Sequence, residues 1–166
     1  MKRLLLISLF AAAIWSAARA VDVSGTYENA GSMVNPGTEP AAGVISLQGL
    51  LGLEFDYTLT RALHAQTDRV VMRQSDSTFI IECKDLDGHT TWSGQWSRDQ
   101  GYGVEPGQVN LLFRSKRFQF DGFLFSLSLA GDRQLLLVDV RRVNTTPFGP
   151  VAKPIGVFLF NREPGM

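Results

Sequence analysis

Leu53, Phe55, Tyr57 and Leu59 alternate with Glu54, Asp56, Thr58 and Thr60. A period of two puts one set on each face of a strand, whereas a helix would scatter both sets around its circumference. The alternation recurs along the chain. Val70 and Met72 lie in one short run, and Phe79, Ile81 and Cys83 stand opposite Glu82 and Lys84 in the next. Between these runs, Ser75-Asp76-Ser77 supplies turn chemistry, so the two are read as a hairpin. Asp87-Gly88 then turns the chain into His89–Arg98, where Trp92 and Trp96 share a face with Gly94 between them.

Further strands are expected at Val109–Phe113, Phe118–Ala130, Leu135–Val140 and Val157–Arg162, besides Val23–Glu28 and Val44–Leu47. Residues 99–107 are rich in Gly, Asp and Pro and read as a loop, as does Ser32–Gly43. Asn144–Pro154 holds three prolines and reads as an extended connection, while residues 61–68 offer room for one short helical turn. Two readings of Asp121-Gly122 stay open. The pair is either a two-residue hairpin turn or the site of a bulge in one long strand, and the bulge is preferred because Ser115-Lys116-Arg117 then turns between strands. Roughly nine closely spaced strand candidates indicate an all-β fold, an antiparallel sandwich or barrel, and the expectation is an up-and-down meander closing into a single barrel of roughly eight strands, which removes exposed edges.

The first 20 residues differ in kind. Lys2 and Arg3 precede an apolar run from Leu4 to Ile14, and Ala18-Arg19-Ala20 is a small-x-small site, which together read as a signal peptide cleaved after Ala20. The run is shorter than the ~20 residues that a spanning helix needs. A periplasmic or secreted protein is expected, with residues 21–166 as one β-barrel domain and no stable membrane span. The expected mature chain has 13 basic and 16 acidic residues, a net charge of −3, which argues against an electrostatically driven nucleic-acid partner. Cys83 is the single cysteine and lies in phase with Phe79 and Ile81, so an inert buried thiol is expected.

Two short segments carry a resemblance. Ser24-Gly25-Thr26-Tyr27-Glu28 resembles the Gly-x-Trp start of the lipocalin barrel, with Tyr27 in place of the tryptophan. Thr90-Thr91-Trp92-Ser93-Gly94-Gln95 is similar to a strand of the avidin family. Both families are calycins, small ligand-binding barrels, and the resemblance implies a lipocalin-like barrel with Trp92 on a cavity wall. The later pocket tryptophans of avidins have no counterpart after Trp96, so biotin itself is not implied.

Catalytic chemistry has no recognisable signature. His64 and His89 lack ligand-type neighbours at metal spacing, Asp85 and Asp87 read as turn residues, and no nucleophile sits in an elbow motif. The expectation is a non-enzymatic binding protein without cofactor or metal, holding a small apolar or amphipathic molecule. Trp92, Trp96, Tyr27, Phe123 and Phe125 are the candidate ligand-binding residues. If Phe118–Ala130 is one strand, Arg114, Arg117, Arg141 and Arg142 gather at one rim that suits an anionic group. The alternative is an inhibitor or envelope accessory factor that meets a protein partner through its loops. Strand alternation also forces a choice in the last strand, because Phe158/Phe160 and Val157/Leu159 cannot both face inward.

Overall fold

The computed structural model describes residues 21–34, 41–51, 67–114 and 121–164, with the side chains of 41–44, 114 and 121 left aside. The expected signal segment, the Leu53–Thr60 strand, most of the 61–68 turn, Phe118, Phe120, Lys116 and Arg117 lie outside the described residues. Among the described residues there are ten strands: β1 Gly25–Val34, β2 Ala41–Ser46, β3 Arg69–Gln74, β4 Thr78–Lys84, β5 Thr90–Ser97, β6 Tyr102–Glu105, β7 Gln108–Arg114, β8 Asp121–Ala130, β9 Leu135–Thr146 and β10 Gly149–Arg162. A short helix, α1, covers Leu47–Leu51, and a 3₁₀ turn covers Arg98–Gln100.

All pairings are antiparallel, in the order β5-β4-β3-β1-β10-β9-β8-β7-β6, with β2 beside β1. Chain neighbours pair as in a meander from β3 to β5 and from β6 to β10, while β3 pairs with β1 rather than with β2, and β10 returns to β1. Every second residue faces one common interior. Val70 and Met72, Phe79, Ile81 and Cys83, Val109 and Leu111, Phe125 and Leu127, Leu136, Val138 and Val140, and Phe158 and Phe160 are all buried. The Phe158/Phe160 choice is thereby made, and Val157 and Leu159 lie half-buried on the opposite face. Outward positions of β3 and β4 carry charge instead, as in the two-pronged Arg73–Glu82 pair at 3.1 and 3.0 Å.

The expected closed barrel of roughly eight strands is corrected. Among the described residues the hydrogen-bonded sheet stays open between β5 and β6, its two terminal strands. The connection explains why. The 3₁₀ turn ends at Gly101, whose left-handed φ of 94° swings the chain away from β5. Its carbonyl then accepts the Leu112 amide at 2.9 Å, so the backbone here is committed to β7. Side chains of β6 instead reach β4 and the β3–β4 turn: the Phe79 and Tyr102 rings are 5.9 Å apart, and the Tyr102 hydroxyl donates to the Ser75 carbonyl at 2.7 Å.

Three further expectations change. The 99–107 loop contains β6, and the Ser32–Gly43 loop is shortened by the end of β1 and the start of β2. Asn144–Pro154 is no connection but the tip of a long hairpin, paired from Gly149↔Thr146 to Asn161↔Leu135. At Asp121-Gly122 the chain is neither a turn nor bulged. Gly122 pairs with Arg114 on one side and Val143 on the other, and β8 and β9 stay in register from Asp121 to Ala130.

The short helix α1 joins the core through Leu47 and Leu51, both fully buried. Asn29 holds this helix where β1 passes from β3 to β2. Its Nδ2 donates to the Thr67 carbonyl at 3.0 Å, and its Oδ1 accepts from Ser46 Oγ at 3.1 Å and the Gln48 amide at 2.9 Å.

Candidate functional site

The open seam between β5 and β7 holds the candidate site, a groove with an aromatic wall. β6 pairs with β7 only as far as Leu111, so Leu112 and Phe113 face β5 across a gap. A row of rings spans that gap: Trp92 to Trp96 at 6.4 Å, Trp96 to Phe113 at 4.9 Å, and Phe113 to Phe125 at 4.8 Å. Beside the row lies a groove of about 310 Å³ lined by Gln95, Trp96, Asp99, Gln100, Gly101, Leu112 and Phe113. Gly101 is required there, because a Cβ would come within 2.8 Å of Leu112 Cβ in a left-handed conformation.

Chemically, the groove offers an aromatic wall and a polar floor. The side chains of Gln95, Asp99 and Gln100 supply one carboxylate and two amides, with Ser97 Oγ donating to Asp99 and lying 3.1 Å from Gln100 Oε1. That combination suits an amphipathic molecule with an apolar ring or chain and a hydrogen-bonding or cationic end.

The candidate ligand residues separate by depth. Tyr27 and Phe125 are fully buried core residues. The Tyr27 hydroxyl donates to the Val23 carbonyl at 2.7 Å, and Arg162 lies over the ring with its guanidinium carbon 5.9 Å from the centroid. Trp92, Trp96 and Phe123 are partly buried and pack against the core. Of these five, Trp96 lines the groove. Asp99, Gln100 and Phe113 were not singled out in the sequence, because the segment around the first two reads as a polar loop.

Among the rim arginines, the backbones of Arg114, Arg141 and Arg142 do come to one end of the sheet. Arg114 pairs with Gly122, and Arg141 and Arg142 pair with Leu124 and Phe123. Consecutive residues point to opposite faces, so Arg141 and Arg142 are divided between them, and Arg141 binds Asp139 at 2.7 Å. Arg117 lies outside the described residues.

Two further places gather polar groups. A polar cavity of about 500 Å³ lies between Gly25, Thr26, Asp132, Arg133, Gln134, Arg162, Glu163 and Pro164. Asp85, Asp87 and His89 bring one potential ligand atom each within 4.8 Å of one another, a proximity that their spacing did not suggest. They belong to an exposed turn in which Asp85 already accepts the His89 amide at 2.8 Å, a bond that holds its carboxyl below the usual range. Cys83 is buried, which pushes its thiol up to about 12 and keeps it protonated. Among the described residues no helix is long and apolar enough to cross a membrane. No family model matches the chain, and no curated protein matches it in sequence.

Proposed function

We propose that this is an exported, non-enzymatic binding protein that takes a small amphipathic molecule in the seam between β5 and β7. The observation that carries this reading is the groove with Trp96 and Phe113 as its wall and Asp99, Gln95 and Gln100 as its polar end. The interior favours the seam over a central cavity, since Tyr27, Phe79, Phe125 and Phe160 occupy it with fully buried side chains. The meander order, with β10 returned to β1, supports the likeness to calycin barrels. Export rests on the pattern of residues 1–20.

The test is native mass spectrometry of the protein recovered after export, compared with its denatured mass. An adduct that leaves on denaturation is expected, retained by Trp92→Ala and lost from Trp96→Ala and Asp99→Ala. A bare mass in the wild type, or an adduct indifferent to Trp96 and Asp99, rejects the seam.

A further inference from the structure

The distal part of the β9–β10 hairpin stands outside both the core and the groove. β10 pairs with β1 from Val157 onward, so among the described residues the strand from Gly149 to Gly156 has β9 as its ladder partner. Three of the four large apolar side chains exposed among the described residues lie on this arm: Phe148 at 101%, Val151 at 44% and Ile155 at 45%. Such a concentration at one tip is unlike the scattered surface apolar residues of an ordinary protein. Phe148 sits at the outermost turn, where the Thr146 hydroxyl donates to the Gly149 carbonyl at 2.7 Å and fixes the bend.

Charge identifies the occupant. From Val140 to Gly156 the arm carries three cations, Arg141, Arg142 and Lys153, and no acid, within a protein whose expected mature charge is negative; Arg141 is paired with Asp139 at the base of the arm, and Lys153 stands exposed. Arg142 and Lys153 are ladder partners, so they share one face, and Val151 lies two residues further toward the tip on that face. Aromatic tip, apolar shoulder and cationic base thus follow one another along the arm. We propose that this hairpin docks on an anionic lipid bilayer, with Phe148 entering the headgroup region and Lys153 set against the phosphates.

A protein partner or a second copy fits less well. Beyond Asn144, where β8 ends its pairing with β9, the described tip is two-stranded and narrow against the ~800 Å² that each partner gives to a standard interface. Pro150 and Pro154 interrupt β10 with residues that have no N–H, so this edge is a poor template for an added strand.

The experiment is co-sedimentation of the full protein recovered after export with phosphatidylglycerol or phosphatidylcholine vesicles. Phe148→Ser, Lys153→Glu and the wild type are compared side by side, so that any contribution from residues outside the arm is common to all. Binding to phosphatidylglycerol alone is expected, weakening as salt rises, with affinity falling about tenfold in each variant. Phe148 is fully exposed, so its replacement leaves folding intact, which circular dichroism verifies. Equal sedimentation of wild type and both variants overturns the proposal. So does absence of anionic-vesicle binding at low salt, including the case in which the arm crosslinks to a protein instead.

Discussion

Cys83 and Tyr27 hold their protons because water is excluded from them. Burial raises the thiol from 9.0 and the phenol from 10.0, each to about 12, and Arg162 beside Tyr27 only partly offsets that effect. For an acidic group with a raised value, the folded state keeps its proton where the unfolded state loses it, so stability is intact below the unfolded value and declines above it. Urea midpoints should therefore be flat up to pH 9.0 as far as these groups act and should fall between there and about 12, with Cys83→Ala removing part of the decline. At pH 8 the folded protein should resist iodoacetamide that labels the urea-unfolded chain at once. Rapid labelling of the native protein would contradict the burial. The position of Cys83 was legible, since it shares the phase of Phe79 and Ile81. Asn29 was not: Thr67, Ser46 and Gln48, its partners, are 17 to 38 residues distant, and periodicity says nothing about which distant backbone atoms a buried amide will meet.

At the scale of the strand, β5 shows how a small residue makes room for two large ones. A Cβ on Gly94 would lie 2.5 Å from the Trp96 ring and 2.7 Å from the Trp92 ring, so both indoles fold over the bare backbone between them. Gly94→Ala should displace the rings and destabilise the protein by about 1–3 kcal/mol, as overpacking does. Chemical denaturation gives the loss and tryptophan emission reports the displacement; an unchanged spectrum with full stability would mean that the rings do not rest on Gly94. Strand 90–97 and the β3–β4 hairpin were legible because alternation and turn residues agree there. β6 was hidden by glycines and by Pro106 just after it, which mimic a loop. The outer half of the β9–β10 hairpin was hidden for a related reason. Pro150 and Pro154 read as strand breakers, yet on an edge a missing N–H leaves no ladder partner wanting.

For the whole molecule, the seam decides how the rolled sheet behaves. Sequence reasoning expects closure, because exposed strand edges invite association and a barrel abolishes them. The chain meets that problem differently, covering the gap between β5 and β7 with the Trp96 and Phe113 rings while the β1–β10 ladder secures the other side. Ring packing across a gap is less directional than a ladder, so this is where the molecule can part without losing its other pairings. Phe113→Ala should cost about 3–5 kcal/mol. The loss should not be uniform: hydrogen exchange should quicken in β5 and β6, at residues 90–105, well before it does in β9 and β10, whose ladder runs over most of both strands. Phe113→Leu, which keeps most of the apolar volume, should give the same pattern at smaller amplitude. Uniform quickening through all ten strands would mean that the seam is as cooperative as the ladders, and a molecule bound there would then have to enter without the sheet parting at that edge.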